Sequence, residues 1–417
     1  MMSRVHVFYE GWNERWHWGT LASTSDPRTP ILFEYSPEAL AQKLELSPLH
    51  LPLSPTTYTS FPKFQERLPG IVADALPDGW GRLLMDRLFR KRGLNPVQIG
   101  VLERLSYISD TAMGALTFQP EIALNSEGQF DIPLDQLARE SQAILEGEAS
   151  ELLAQLVEIG GSPQGARPKA LIYRCSDTEK TSTTPFKGAE PWLIKFPARS
   201  EQPEVCAIEY LYAACAYQCG LEVPEVAYFD LGSDLAAFGS KRFDRNGNTR
   251  IPMHSLAGYI ESDFRVPSCD YDTYLRATGH ITGGNLPEVQ KAFARTVFNI
   301  IFNNRDDHTK NLAYRLNEQR QWQLAPAYDL TFDEGPNGYH QMSVMGEVWL
   351  IPQRALLKLA EVAALSQDQA KQIIDQHCHV ASQFSRLANT HFAGVIKPQT
   401  LSRIQKKLDE NSKAARV

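Results

Sequence analysis

The sequence predicts an α+β protein with two lobes, β-rich at its start and mostly helical at its end. Short strands punctuated by turns open the chain, and the centre reads as a hairpin, a helix and two further strands. Beyond residue 245 the hydrophobic periodicity is mainly helical. The chain has 417 residues, whereas a single hydrophobic core rarely serves more than about 250. We therefore expect more than one compact part.

The composition excludes several classes of protein. Hydrophobic residues make up 43% and charged residues 22%, which is typical of globular and not of disordered chains. The net charge of −7 argues against a protein that binds nucleic acid through a generally basic surface. The 6 cysteines form no CxxC pair, which argues against a disulfide framework or a zinc ribbon. Because no run approaches the roughly 18 apolar residues of a membrane span, we expect a cytoplasmic protein without membrane contact.

Residues 1–120 are predicted to form a β-rich subdomain. Strands are expected at HVFY, WHWGTLAS and PILFEY, followed by a helix over SPEALAQKL with Ser36 as its N-cap. Apolar pairs at helical spacing in IVADALPDGWGRLLMDRLFRKRG predict further helix, which Gly93 would end.

Residues 121–245 are predicted to form the first lobe proper. Two amphipathic helices fill 132–160, and Gly160 and Gly161 would end the second. The segment GGSPQGARPK then reads as a loop, and ALIYR and WLIKFP read as a hairpin with a long mobile connection. A helix over about 203–219 and the strands VAYFDL and AAFGSKRF complete this part. A boundary near 245 leaves 246–417 as a helical C-lobe.

The segment 289–333 carries the strongest chemical signal. A helix runs into NNRDDHTKN, followed by a predicted hairpin and the acidic turn AYDL. Phosphoryl transfer needs one carboxylate to receive the hydroxyl proton, and an Asn and a second Asp to hold Mg²⁺. Asp306, Asn311 and Asp329 have these identities in this order, with the Asp-to-Asn spacing of a kinase catalytic loop. The alternative is a polar turn whose side chains cap neighbouring elements, and for Asp307 we favour it.

A phosphate-binding region is predicted upstream. Gly160, Gly161 and Gly165 surround Ser162 in a loop that can bring backbone N–H groups to phosphates. Lys195 on a strand and Glu209 on the next helix reproduce the lysine–glutamate pair of kinases. The alternatives are a helix-ending glycine pair, an edge-strand lysine facing water and an exposed helical glutamate.

Motifs along nearly the whole chain resemble those of one family, the HipA serine/threonine-protein kinase toxins of bacterial type II toxin–antitoxin modules. The matching segments are LPDGWGR at 76–82, MGALTF at 113–118, GGSPQGARPK, LIKFP, FDR at 243–245, NNRDDHTKN and AYDL. The resemblance implies a bilobal protein-kinase-like fold that binds ATP and Mg²⁺.

The resemblance also implies residue roles. Asp306 would be the catalytic base, Asn311 and Asp329 would hold Mg²⁺, and Lys195 would bind the ATP phosphates. Further nucleotide-binding positions would be Gln164, Gly165, Ala166, Arg167, Pro168 and Lys169 at the phosphates, Lys241, Arg242 and Phe243 at the adenine, and also His308, Lys310 and Tyr328. Autophosphorylation of Ser162 would eject the phosphate loop and switch the kinase off, because a dianion cannot remain where ATP phosphates bind.

The function that this resemblance implies is transfer of the ATP γ-phosphoryl to a translation-related protein, such as an aminoacyl-tRNA synthetase, with growth arrest as the outcome. A helix-turn-helix antitoxin is the expected partner, and operator DNA would be bound mainly through it because this chain is acidic. Two alternatives stay open: a catalytically inactive nucleotide-binding corepressor, and a small-molecule kinase. The sequence does not identify the substrate, the antitoxin, the oligomeric state or the resting phosphorylation state.

Overall fold

The computed structural model describes residues 4–23, 30–122, 131–161, 165–199, 201–232 and 234–417. Two compact units divide the chain. The first combines Met1–Pro203 with Ala227–His254, and the second combines Glu204–Val226 with Ser255–Val417. The three-part division predicted from the sequence stays a prediction.

The first unit opens with an antiparallel sheet in the strand order β3-β2-β1-β4. Its strands are β1 (Arg4–Tyr9), β2 (Trp16–Ala22), β3 (Leu32–Tyr35) and β4 (Leu116–Gln119). Burial alternates along β1, as expected for a strand with one face on a core. The ring of Trp18 packs on Phe33 and Tyr35 at centroid distances of 4.8 and 5.4 Å. These aromatic contacts build the core under the sheet.

A second sheet in this unit has the order β6-β5-β7-β9-β8. Its strands are β5 (Lys169–Arg174), β6 (Thr181–Ser182), β7 (Glu190–Lys195), β8 (Val226–Gly232) and β9 (Leu235–Lys241). The predicted hairpin is confirmed, and its register sets Lys169 directly opposite Lys195. The connection predicted as mobile contains β6, which pairs with β5 because Tyr173 and Arg174 offer it an open edge.

The first unit has helices in the predicted segments and one more at Val101–Ile108, which was not predicted. They are α1 (Pro37–Gln42), α2 (Gly70–Ala73), α3 (Gly79–Lys91), α4 (Val101–Ile108), α5 (Leu134–Glu146) and α6 (Leu153–Gly160), with 3₁₀ turns at Lys63–Gln65 and Pro96–Gln98. The hydroxyl of Ser36 accepts from the Ala39 N–H at 2.9 Å, which confirms the predicted N-cap. Gly93 follows α3 with φ +73°, and Gly161 caps α6.

The end of this unit contains the short strands β10 (Arg245–Asn246) and β11 (Thr249–Arg250), which pair as a hairpin. Strand β12 (Met253–Ser255) follows and carries the chain into the second unit.

The second unit is mostly helical, with one hairpin. Its helices are α7 (Glu204–Gln218), α8 (Leu256–Tyr259), α9 (Tyr271–Ile281), α10 (Leu286–Ile301), α11 (Gln353–Val362), α12 (Gln367–Ser382), α13 (Phe384–His391) and α14 (Pro398–Ala414), with 3₁₀ turns at Thr309–Asn311 and Pro336–Gly338. The hairpin joins β13 (Ala313–Leu316) to β14 (Trp322–Leu324) and confirms the prediction. In the described part of the chain, no helix is both long and apolar enough to cross a membrane.

Helix α10 lies at the centre of the second unit and leads into the loop predicted to be catalytic. Its predicted apolar face is buried, and so are the polar side chains of Arg295, Thr296 and Asn299, because α9, α12 and α14 pack around it. A helix buried on nearly all sides is a rigid support for the loop that follows it.

Candidate active site

The loop after α10 is tied to a second acidic segment further along the chain. Asn303 has φ +53°, which turns the chain sharply out of the helix. Its Nδ2 donates to the carbonyl of Asp333 at 2.8 Å, and the Asp333 N–H donates back to the Asn303 carbonyl at 3.1 Å. The two segments predicted to act together therefore lie side by side.

Asp306 lies in this loop and is surrounded by polar groups. Its Oδ1 is 3.6 Å from Nε2 of His308 and accepts from Nε2 of Gln341 at 3.3 Å. Burial raises the pKa of the Asp306 carboxyl; His308 opposes this rise, whereas the negative charges of Asp329 and Asp333 add to it. Asp306 therefore lies within the electrostatic influence of the Asp329 and Asp333 carboxylates.

Asp307 has the structural role that the sequence favoured. Its carboxylate is buried, and Oδ2 accepts from the hydroxyl of Tyr271 at 2.7 Å and from Nδ1 of His340 at 2.8 Å. Oδ1 accepts from the backbone N–H of Gln341 at 2.8 Å. Nδ2 of Asn299 donates to the Tyr271 hydroxyl at 3.1 Å, so the network begins on helix α10. Asp307 therefore fixes the loop to Tyr271, His340 and Gln341.

Arg295 is a central residue that sequence reasoning missed. Its side chain is only 2% exposed, and its guanidinium donates to the carbonyls of Asn311 at 2.8 Å, Pro326 at 3.2 Å and Tyr328 at 3.3 Å. One planar side chain thus joins the segments that carry the two predicted metal ligands. Arg295 lies on the face of α10 opposite its predicted apolar face, so the helical pattern of the sequence did not indicate this role.

The turn with Asp329 is held by a second contact. The hydroxyl of Tyr328 donates to the carbonyl of Lys310 at 2.6 Å. Asp329 has φ +55°, an uncommon conformation for a residue other than glycine, and such residues cluster at functional sites. The Lys310 ammonium lies 4.3 Å from the centroid of the Phe264 ring, and His308 packs on the same ring at 5.5 Å.

The available oxygen atoms fit a magnesium ion whose remaining ligands come from water and a phosphate. Nδ2 of Asn311 donates to the carbonyl of Asp306 at 2.8 Å, which leaves Oδ1 as the acceptor of that amide. A carboxylate beside an amide oxygen suits Mg²⁺, which usually takes one or two carboxylates and completes its shell with water and phosphate. Within the described residues, no group of three or more His, Cys, Asp or Glu side chains is arranged to hold a metal without such help.

The predicted phosphate-binding residues belong to the first unit. Lys169 and Lys195 are 4% and 7% exposed, and the Lys195 ammonium lies 5.7 Å from the centroid of the Phe238 ring. The alternative of an edge lysine facing water is therefore wrong for Lys195, because β7 runs between β5 and β9. Ser162 and Gln164 lie outside the described residues.

The described residues of the predicted phosphate loop, 165–168, differ in their exposure. Gly165 and Arg167 are half-buried and Ala166 is exposed, whereas Pro168 is buried. The Arg167 guanidinium lies 3.1 Å from the Glu201 carboxylate.

The predicted adenine-binding residues lie at the other end of β7. Register pairs Lys195 with Phe238 and Trp192 with Lys241, a separation of three residues, or about 10 Å. Lys241 forms an ion pair with Glu190. Phe243 is half-buried. This end of β7 is therefore well removed from the lysine pair.

The Arg242 side chain is held by a buried acid, Asp244. Nε and Nη2 of Arg242 donate to Asp244 at 2.9 and 2.8 Å, Arg245 donates to it at 2.7 Å, and the Gly114 N–H donates to it at 2.8 Å. Burial acts to raise the pKa of Asp244, but the two guanidinium charges outweigh it and hold the pKa far below its usual range. The FDR and MGALTF motifs therefore meet at one carboxylate.

Comparison with known proteins agrees with this architecture. A family model described as the HipA-like C-terminal domain matches residues 161–384, and one described as the HipA N-terminal domain matches residues 9–119. A curated protein of Sinorhizobium fredii, named "Putative kinase Y4dM", is 26% identical over 328 residues, which is 75% of this chain and 73% of that protein.

A solved structure resembles nearly the whole chain. It is HipA of the Shewanella oneidensis MR-1 toxin–antitoxin system, in complex with HipB and its operator DNA. The TM-score is 0.67 at 16% sequence identity, covering 98% of this chain and 96% of that one. The α+β, kinase-like fold predicted from the sequence is thereby confirmed. With both of the family's domain models matched in order, this chain belongs to the HipA family.

Proposed function

We propose that this protein is an ATP-dependent protein kinase that phosphorylates serine or threonine. The observation that carries the proposal is the assembly of Asp306, Asn311 and Asp329 by the Arg295 hydrogen bonds and the Asn303–Asp333 pair. The buried pair Lys169 and Lys195 in the first unit supplies positive charge suited to phosphate. We assign phosphate binding to the first unit, and the catalytic base and metal ligands to the second.

The chemistry would depend mainly on positioning and on charge neutralisation. The Asp306 carboxylate would accept the proton of the attacking hydroxyl, while Gln341 and His308 hold its Oδ1 in place. Asn311 and Asp329 would hold Mg²⁺, which when bound offsets the negative charge of the phosphates. Lys195 would stabilise the charge that develops on the transferred group.

We further propose that the protein is the toxin of a toxin–antitoxin module and acts in the cytoplasm. Membership of the HipA family supports this, and the Shewanella relative was solved with HipB and operator DNA. A helix-turn-helix antitoxin would then be the partner and would provide most of the DNA contact, since this chain has a net charge of −7. A translation component such as an aminoacyl-tRNA synthetase would be the substrate, and Ser162 the site of autophosphorylation.

The test is phosphopeptide and intact-mass analysis of the purified protein with and without Mg²⁺-ATP. The wild-type protein should gain phosphate on Ser162, and Asp306→Asn should lose transfer by at least about 100-fold while still binding ATP. The matched control is Asp375→Asn, an aspartate 64% exposed on the same unit, which should transfer at the wild-type rate.

The alternatives predict different outcomes. A catalytically inactive corepressor would bind ATP and transfer no phosphate to itself or to any protein. Its wild-type and Asp306→Asn forms would repress the operator equally well. A small-molecule kinase would consume ATP with loss of activity in Asp306→Asn, yet would leave all proteins in a lysate unlabelled.

A further inference from the structure

The LPDGWGR motif at 76–82 lies directly against the predicted phosphate loop. Asp78 accepts a hydrogen bond from the backbone N–H of Gly165. The Trp80 N–H donates to the Gly165 carbonyl at 3.0 Å, and the Trp80 indole Nε1 donates to the Lys169 carbonyl at 3.0 Å. Three hydrogen bonds thus join the start of α3 to a loop more than 80 positions away.

We propose that residues 78–81, which we name the loop anchor, position the phosphate loop and Lys169 for nucleotide binding. This inference rests on the proposed function and gives the N-terminal motif a part in it. Asp78 is therefore a positioning residue: it acts on the nucleotide through the loop and does not touch it.

The glycines of the anchor are required by the close approach of the two backbones. A Cβ on Gly81 would overlap the Gly161 carbonyl oxygen, and a Cβ on Gly79 would lie 2.7 Å from the Cα of Ala166. Because both obstacles are backbone atoms, no side-chain rotation relieves them. Glycine costs about 1 kcal/mol in a helix, so two of them in the first turn of α3 point to a packing requirement.

The carboxylate of Asp78 is diverted from its usual role. Asp78 stands at the N-cap of α3, where an aspartate normally accepts from its own helix, yet it makes no such capping bond. It accepts from Gly165 instead. A phosphate loop binds anions through its backbone N–H groups, so a donor already bonded to protein serves as a fixed point of the loop.

The same contacts reach the lysine pair on the adjacent strands. The Lys169 carbonyl is held by Trp80, and the Lys169 ammonium packs so closely on Gly165 that a Cβ there would overlap it. Lys169 lies opposite Lys195 in the sheet. A loosened anchor would therefore disturb Lys169 as well as the loop backbone.

The test compares Asp78→Ala and Asp78→Asn in the full-length protein. Asp78→Ala should weaken ATP binding by about 10- to 100-fold, because a hydrogen bond to a charged acceptor is lost, and should raise KM for ATP with kcat within about twofold. Asp78→Asn retains an acceptor oxygen and should show a smaller effect. The control is Glu66→Gln, which removes a surface carboxylate paired with Arg82 of the same helix and should leave ATP affinity unchanged.

A second measurement needs no activity or nucleotide. Hydrogen–deuterium exchange of a peptide covering Gly165 to Lys169 should be faster in Asp78→Ala than in wild type, with the β7 peptide unchanged. Gly81→Ala, which leaves the carboxylate in place, should have the same effect. Unchanged exchange would refute the anchor, and so would faster exchange with unchanged ATP affinity. If the wild type binds no ATP, the proposed function fails, and the exchange result alone decides whether the anchor exists.

Discussion

His340 donates its Nδ1–H to Oδ2 of Asp307 at 2.8 Å, although the two residues are 33 positions apart. A carboxylate only accepts, so the tautomer with the proton on Nδ1 is fixed by this contact. The next residue, Gln341, reaches both loop aspartates, through its backbone N–H to Asp307 and its side chain to Asp306. The segment at 340–341 thus holds the catalytic loop in register.

We predict that His340→Leu lowers kcat by at least about tenfold and leaves the Kd for ATP unchanged. The leucine fills the space but cannot donate, so the buried Asp307 carboxylate loses one of its three donors and the loop shifts. His340→Asn, which can place an N–H near the same position, should recover part of the rate. His379→Asn, at an exposed histidine, is the control. Equal loss of kcat and ATP affinity in His340→Leu would contradict this role.

Arg295→Lys should destabilise the protein by about 3 kcal/mol. A lysine has no planar fork, so it cannot satisfy the carbonyls of Asn311, Pro326 and Tyr328 together, and unsatisfied buried carbonyls cost about 1–3 kcal/mol each. Urea unfolding measures the loss. Arg276→Lys, at a guanidinium 67% exposed on α9, should stay within about 0.5 kcal/mol of wild type.

Removal of the amide ligand should change the metal requirement. Asn311→Ala is expected to raise the Mg²⁺ concentration for half-maximal phosphoryl transfer by about tenfold, because one oxygen ligand and the bond to the Asp306 carbonyl are both lost. Asn311→Asp restores an oxygen ligand and should bind the cation at least as well. Titration of transfer with Mg²⁺, after EDTA treatment abolishes it, measures the shift. An unchanged titration in Asn311→Ala would remove this residue from the metal site.

The stability of the protein should fall between pH 6.5 and 4 because of one buried histidine. Burial lowers the pKa of His377 from 6.5 to about 4, since its ring is 0% exposed on α12. The unfolded chain therefore takes up the proton at a higher pH than the folded one. The contribution is complete above pH 6.5 and is lost as the pH falls through 4, by about 3 kcal/mol in total.

His377→Leu removes this titration. The difference in unfolding free energy between pH 7 and pH 4 should be about 3 kcal/mol smaller in His377→Leu than in wild type. His379→Leu replaces an exposed neighbour and should keep the wild-type pH dependence. The same slope in all three proteins would show that other groups account for the acid sensitivity.

Structural features that depend on local sequence patterns could be predicted. The apolar face of α10 and the Ser36 cap depend on spacings of a few residues, and the pairing of β5 with β7 depends on two apolar strand patterns that follow each other along the chain; all three are confirmed. The family motifs likewise predicted the fold. The predicted roles of the site residues stay predictions, but the structure does bring Asp306, Asn311 and Asp329 together.

Contacts between distant residues could not be predicted. Asp78 and Gly165 are 87 positions apart, and nothing near either one specifies the other. Arg295 lies outside the predicted apolar face of its helix, and only the folded chain shows the carbonyls to which it donates. For the contact between Asp78 and Gly165, the sequence offered only the glycines at 79 and 81 as a signal, because glycine inside a helix usually has a packing reason.

The interleaved division of the chain has a practical consequence for expression. The first unit is completed only by Ala227–His254, which follows a segment of the second unit. A fragment that ends at Pro203 would lack β9, and the β7 backbone from Trp192 to Lys195 would become an open strand edge. Open apolar edges promote aggregation, so such fragments should precipitate, and a nascent chain needs its first 241 residues before this sheet can close.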